Sequence, residues 1–303
     1  MNKYWYGVAM TLAAAVCWGI MSPIAKVLTA AGISLMSVMA FRALFVVLIM
    51  GPYLCHTKGW EVFSPGRDML LFYFLSGMLS VVFAGGGFLM SLKYLSVAEA
   101  LIIHYTFPLV TLVGSLWITR ERPTPLQVVS GFLIITGVYL GMVGGEKTFS
   151  GISVPGLMWA ILAIIGISGQ ALVARRVCKG QETDQMTLLF FAHLLGGSLL
   201  AVGKTFLAGW EDIYNFTFPL FGLMVFQSFC GSLLAYGLFY TALKYVSAAT
   251  VSLLCTLEIV VAVGLTSFLL GQSPSMQEVL GCAIIIIAII CATVRTSGSE
   301  APG

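Results

Sequence analysis

The sequence predicts an all-α membrane protein: ten transmembrane helices in two inverted five-helix repeats. Three observations carry that prediction. Apolar residues make up 59% of the chain and charged residues 9%, a balance that cannot keep a soluble domain of this size in water but suits lipid. Apolar windows of about 20 residues, the length that crosses a hydrocarbon core of about 30 Å, recur along the whole chain. A short stretch also occurs twice: Leu92-Lys93-Tyr94-Leu95-Ser96-Val97-Ala98 returns as Leu243-Lys244-Tyr245-Val246-Ser247-Ala248-Ala249, each copy between two apolar runs, as expected of a tight connection in a duplicated unit.

The same register carries outward. Pro123-Thr124 answers Pro274-Ser275, and with a small slip Gly7 answers Gly156 and Lys26 answers Arg175. The halves are accordingly residues 1–147 and 148–303.

The first run, Trp5–Thr29, follows Lys3 and contains Ala13-Ala14-Ala15, as a signal peptide would. It continues through Trp18 and Pro23 for a full span, and Cys17 lacks the small preceding residue that lipoprotein processing wants, so it reads as a retained helix. Ile33–Cys55, Met69–Leu92, Val97–Thr119 and Pro125–Val143 complete the first half. Ile152–Ala174, Met186–Ala208, Phe218–Leu243, Ala248–Leu270 and Met276–Val294 make the second. An odd number of spans per half sets the second half upside down relative to the first. Connections are short and polar, the longest in the first half running from His56 to Asp68, and no appended soluble domain is expected.

Basic residues set the expected orientation. With a cytoplasmic N-terminus, the inside holds Lys3, Lys58, Arg67, Arg120, Arg122, Arg175, Arg176, Lys179, Lys244 and Arg295, and the outside only Lys26, Lys93, Lys147 and Lys204. A multi-pass protein of the cell's inner (plasma) membrane with both termini cytoplasmic is therefore expected.

The ten spans in inverted halves, Trp18-Gly19 with Lys26 in the first span, Arg42 in the second, and Pro108 with Arg120-Glu121-Arg122 closing the fourth resemble the EamA-type branch of the drug/metabolite transporter superfamily over essentially the whole chain. Two departures stand out. The Glu-Pro usual in the fourth span of the second half reads Glu258-Ile259, and the usual Gly-Glu at its end reads Gly271-Gln272. A proline kink is therefore expected in one half only. The resemblance implies a central cavity lined by the first four spans of each half, with the fifth and tenth packed outside. Those two spans agree, since Glu278 at the mouth is their only ionisable residue and Ile284-Ile285-Ile286-Ile287 is wholly apolar.

Ionisable residues inside a bilayer must be buried in protein or touch water. Glu258 lies roughly 16 Å into the ninth span by helical rise. It reads either as a group that takes up and releases protons, as proton-coupled transport needs, or as a structural acid bonded to a neighbouring helix. His104, about 12 Å into the fourth span, shares a polar stripe with Pro108, Thr111 and Ser115. It reads equally as a proton or ligand site or as a satisfied buried imidazole. Arg42 either holds a substrate carboxylate bidentately or snorkels within the bundle. Glu99 follows Ser96 as in a helix-capping box, and the lone His193 reads as structural.

Further substrate-binding candidates come from stripes at helical spacing. Met10, Ala14, Cys17 and Met21, beside Trp18, correspond to Trp159, Ala163, Gly166 and Gln170 in the sixth span. Ser228, Ser232, Tyr236 and Tyr240 share a face of the eighth, answered by Ser76, Ser80, Ala84 and Gly87 in the third. Core packing explains such stripes equally well. As a cavity wall they would suit a modest amphipathic metabolite rather than a phosphate, which calls for clustered Lys or Arg. Gly85-Gly86-Gly87 reads as a hinge or a close packing contact.

Seven scattered cysteines suggest neither disulfides nor a metal site. No cofactor, no metal, no catalytic motif and no nucleic-acid partner is expected. The expected partners are a small-molecule substrate and the lipid bilayer, with the protein a monomer or homodimer. Three functional classes stay open: a secondary active exporter of small metabolites such as amino acids or amphipathic amines working by alternating access, proton-driven through Glu258 and His104; an uncoupled facilitator of a small solute; and an intramembrane lipid-handling enzyme.

Overall fold

A computed structural model describes residues 3–143, 153–180, 184–271 and 273–294. Among the described residues, ten helices are long and apolar enough to cross a membrane: α1 (Lys3–Ala30), α2 (Leu35–Lys58), α3 (Arg67–Ser91), α4 (Val97–Trp117), α5 (Pro125–Met142), α6 (Val154–Lys179), α7 (Gln185–Leu207), α8 (Phe218–Ala242), α9 (Ala248–Leu269) and α10 (Met276–Thr293). All ten expected spans are present, and their ends fall close to the expected ones. With five spans in each half, the chain enters its second half from the opposite face, which makes the repeats inverted.

The twice-occurring stretch is the tight turn and N-cap that start the fourth span of each half. Ser96 accepts from Glu99 N, and the Glu99 carboxylate accepts from Ser96 N, a complete capping box. Ser247 accepts from Thr250 N in the other copy. Glu99 is thus a capping residue. The register that sets Leu92 on Leu243 also superimposes three backbone irregularities. A π-helical segment at Met78–Gly87 in α3 is matched by one at Phe229–Leu234 in α8. A break after His104 in α4 is matched by one after Cys255 in α9. Left-handed Arg120 (φ 55°) is matched by left-handed Gly271 (φ 65°).

Proline accompanies the break in one half only, as expected, but the break itself occurs in both halves. Pro108 sits in the first turn after the break in α4, but α9 breaks at the same place without a proline. Thr106 Oγ1 donates to the Ile103 carbonyl at 2.7 Å and Thr256 Oγ1 to that of Leu253 at 2.6 Å. A hydroxyl bonded back to the preceding turn competes with the helical ladder and bends it, so a threonine serves α9 where α4 also has proline.

Helix α1 packs on α8 and α9, and α6 on α3 and α4, while α5 and α10 pack on each other away from the centre. The last contact is a glycine contact. A Cβ on Gly137 would lie 2.8 Å from the Gly281 carbonyl oxygen, so only glycine lets these backbones approach as they do. Close backbone approach supplies the packing that a lipid solvent otherwise gives no reason to form.

Helices α2 and α7 are fastened at both ends. On the N-terminal side Lys58 Nζ lies 3.0 Å from Asp184 and donates to Thr187 Oγ1 at 3.1 Å. Asp184 also caps α7 through the Met186 and Thr187 amides. On the opposite side Asp212, in the short helix Glu211–Asn215, accepts from Ser37 Oγ at 2.6 Å and Ser34 N at 2.8 Å. Lys204 Nζ, 1% exposed, lies 3.1 Å from Asp212 and stands over the Trp210 ring. Burial raises the Asp212 pKa, but the hydrogen bonds from Ser37, Ser34 and Lys204 outweigh it and hold the carboxyl well below its ordinary range.

Gly281→Val should force α5 from α10 and cost roughly 1–3 kcal/mol as an overpacked contact, read as a lowered thermal midpoint in detergent. An unchanged midpoint would remove the contact from the stabilising set. Asp212→Asn should also lower the midpoint. Because the folded pKa is depressed, the wild type's advantage over this variant should be complete above about pH 4, the ordinary aspartate range, and shrink as pH falls below it.

Candidate functional site

A cavity of about 410 Å³ lies at the centre of the bundle, lined only by the first four spans of each half. From α1 it takes Trp18 to Ala25 and from α2 Leu35 to Ala43, so it occupies the half of the bundle where α1 ends and α2 begins, away from the N-terminal face. That face is shut by a buried ion pair. Arg175 of α6 donates to one Glu121 oxygen through Nε at 2.9 Å and Nη2 at 2.6 Å, and through Nη1 to the Leu243 carbonyl at 2.6 Å. The left-handed turn at Arg120 folds the chain back so that Glu121 N donates to the Ser115 carbonyl, which aims the carboxylate at α6. Arg175 thereby ties the end of α4, the body of α6 and the end of α8. Beside it a Cβ on Gly7 would overlap Val246, so α1 sits hard against the second copy of the repeated stretch.

Glu258 follows the α9 break and faces the cavity, with Tyr105 OH, from the α4 break, donating to its Oε1 at 2.9 Å. The two interrupted helices therefore meet through one phenol–carboxylate hydrogen bond. Arg42 also faces the cavity. Its Nε donates to Ser232 Oγ at 2.8 Å and its Nη2 to the Gly231 carbonyl at 3.2 Å. Both partners are neutral, and among the described residues no carboxylate lies within ion-pairing distance of it. The Gly231 carbonyl belongs to the π-helical segment of α8 and also accepts from Trp18 Nε1 at 3.0 Å. Tyr236 packs edge-on against both Trp18 and His193.

His104 sits among Phe88, Tyr105 and Phe107, and its buried Nδ1 has no hydrogen-bond partner. His193 differs, since its Nδ1 donates to the Leu189 carbonyl at 2.9 Å. Gln170 lines the wall and reaches back to Tyr240 OH at 3.3 Å.

Of the sequence candidates, Trp18, Arg42, His104, Gln170, Tyr236 and Glu258 thus share one cavity. Tyr240 does not reach the wall; fully buried, it braces Gln170 from behind. Trp159 lies outside the cavity as well, its carbonyl against Gly87. Tyr105 and Gln227 are cavity residues that periodicity does not single out. The signal for Tyr105 was its place between His104 and Pro108, where a break turns a side chain off the regular stripe. Gln227 Nε2 donates to the Met21 carbonyl, while its Oε1 is buried without a partner. Of the small-residue stripe in α3, Ser80 and Ala84 line the cavity and Gly87 is a packing contact with α6, while Gly85 of the glycine triplet also reaches the wall.

The EamA-like transporter family matches residues 5–143 and 154–294. A relative from Bacillus subtilis (strain 168), "Uncharacterized transporter YyaM", is 24% identical over 264 residues, covering 84% of this chain and 83% of its own. "Protein LicB" of Haemophilus influenzae is 25% identical over 230 residues, covering 75% of this chain and 76% of its own. One crystal structure, 16% identical, matches 95% of this chain and 96% of its own with a TM-score of 0.77, a likeness of fold.

Glu121→Gln should leave the buried Arg175 guanidinium without its counter-charge. The expected loss is at the low end of the roughly 3–5 kcal/mol that removing one partner of a buried pair costs, measured as a fall in thermal midpoint. A variant as stable as wild type would show that packing around Gly7 closes this face without the ion pair.

Proposed function

The chain belongs to the EamA-like transporter family, and from that premise we propose that this membrane transporter carries amino acids or amphipathic amines by alternating access, exporting them with proton coupling. The observation that carries the reading is the central cavity: both halves line it, it is sealed on one face by Arg175–Glu121, and it holds two charged side chains with spare capacity. Arg42 spends its donors on neutral oxygens and is free to take a carboxylate, which a guanidinium binds bidentately. Glu258 has one oxygen held by Tyr105, leaving the other for an ammonium group or a proton. Trp18, Tyr236 and Phe239 supply the aromatic wall for an apolar side chain.

In the proposed cycle the solute and Glu258's proton compete for the same acid. Closing the open side over a solute would be matched by release of the Arg175–Glu121 tie on the other. His104, with its free ring nitrogen beside Tyr105, is the second proton site in this reading. The bias of basic residues supports a cytoplasmic N-terminal face and residence in the cell's inner membrane. The open side is then external, and the unit boundary proposed between residues 147 and 148 lies outside the described residues.

A panel of amino acids and amines tested for thermal stabilisation of purified protein identifies the ligand, because what binds only the folded state raises its apparent stability. Liposomes then test coupling. Wild-type uptake should collapse with the proton gradient, and Glu258→Gln should lose gradient-driven accumulation while keeping solute exchange. Undiminished gradient-driven accumulation in Glu258→Gln would take that residue out of the coupling step. Wild-type transport that only follows its own solute gradient would make the protein a facilitator.

A further inference from the structure

A second cavity, of about 280 Å³, lies between α2 and α7 on the side to which the central cavity opens. Its walls are mostly apolar: Ala40, Leu44 and Val47 from α2, Leu194 and Ala201 from α7, with Trp210, Ile213 and Phe216 as a roof. Ala43 and His193 line both cavities, so the two spaces share a partition one side chain thick. Leu44, on the outer wall, is 54% exposed on the lipid-facing surface. At the opposite end of the same helix interface Phe190 occupies the space between the helices, packed edge-on to Phe63 and against Gly51.

The frame around the cavity is fixed. Above it Asp212 ties to Ser37, itself a wall residue. In its floor Gly197 lies so close to Ala43 that a Cβ there would overlap. Farther along, Lys58 ties to Asp184. With that frame in place, the way from the central cavity lies past the His193 side chain rather than through a parting of α2 from α7.

We propose that this side cavity is a subsite for the apolar arm of the carried solute, whose polar head occupies the central cavity beside Arg42 and Glu258 while its tail passes His193 between α2 and α7. The inference rests on the central cavity being the solute site. It names the substrate class more closely: solutes with an unbranched alkyl or similarly slim apolar arm, longer than the central cavity alone accommodates. The shared wall at His193 and Ala43, one side chain thick, sets the space directly beside the solute site, and displacement of the His193 side chain would join the two. Its lipid-facing wall makes a bilayer acyl chain the competing occupant.

The test is a binding series on purified full-length protein in lipid nanodiscs, which needs neither transport nor a proton gradient and so can fail independently of the coupling experiment. The probes are butyl, octyl and dodecyl chains on an ammonium head, on a carboxylate head, and on an amino-acid head, the last as alkyl-side-chain amino acids. Each methylene that enters the side cavity should tighten binding about fourfold, equivalent to about 0.8 kcal/mol. Ala40→Leu and Ala201→Phe, which add bulk to the side cavity only, should bring the octyl-to-butyl affinity ratio back toward one. Gain from mere partitioning into lipid would persist in these variants, and its persistence overturns the proposal. If octyl and dodecyl probes bind wild type no tighter than butyl probes on every head, the side cavity belongs to lipid and the proposal falls. A wild-type measurement guards against misfolded variants: dodecyl probes with a terminal diazirine should label α2 and α7 near Ala40 and Ala201. Labelling confined to α1, α4 and α9 would also overturn it.

Discussion

The ion pair between Arg175 and Glu121 is the contact on which the rest of the arrangement depends. A cavity through the middle of a bundle is a transport path only if one face is shut, and this pair, with its third bond to the Leu243 carbonyl, joins the ends of α4 and α8 through α6. The charge-assisted, multiply bonded guanidinium suits the task, because a lysine there would be a point charge with no fork to span two helices. The duplicate unit lacks the equivalent. Lys26 occupies the position of Arg175 on the other face, is exposed, and makes no ion pair among the described residues. The same register sets an amide, Gln272, where the first half has Glu121. Two halves of common design thus hold their two faces with unequal strength, which agrees with a bundle closed at the Arg175 face.

Irregular backbone at membrane depth is tolerated where it is buried in protein or lines a cavity, and in this chain it is what supplies partners to the central side chains. The π-helical turn of α8 presents the Gly231 carbonyl to both Trp18 and Arg42. The breaks in α4 and α9 put Tyr105 against Glu258. π-Helical turns of this kind recur at functional sites because they redirect side chains and free backbone groups. Here they occur at matched positions in both repeats, so duplication has copied the geometry while the side chains filling it have diverged: Glu258 stands where the first half has Phe107, and Ser168 of α6 donates to the Phe107 carbonyl instead.

The spans, their number and their inversion were legible in the sequence because lipid imposes length and apolarity on each helix, and the repeated stretch fixed the register of the halves. The capping role of Glu99 was legible for a similar reason, since Ser96 and Glu99 act over one turn and need no tertiary context. The cavity was readable only in part. Charged residues at depth have one direction to face, so Arg42, His104 and Glu258 could be placed. Aromatic and small residues do not, and helical spacing cannot separate a wall from the layer behind it; Tyr240 and Trp159 share stripes with cavity residues yet stand outside the wall. The α9 break has no proline to mark it, and Thr256, whose hydroxyl bonds back to Leu253 there, looks in the sequence like any other mid-helix threonine.

The fastening of α2 to α7 constrains how such a bundle can move. Parting them would unmake the bonds of Asp212 to Ser34 and Ser37 at one membrane face and those of Lys58 to Asp184 and Thr187 at the other, and would open the Gly197–Ala43 contact between. Unpaired charges next to lipid are costly. The interrupted ladders lie elsewhere, in α3, α4, α8 and α9, where π-helical turns and hydroxyl-capped breaks already leave backbone bonds that can be exchanged at little cost. Motion confined to those four helices, around an α2–α7 pair that stays shut, would change access to Arg42 and Glu258 while leaving the α2–α7 frame in place through the cycle.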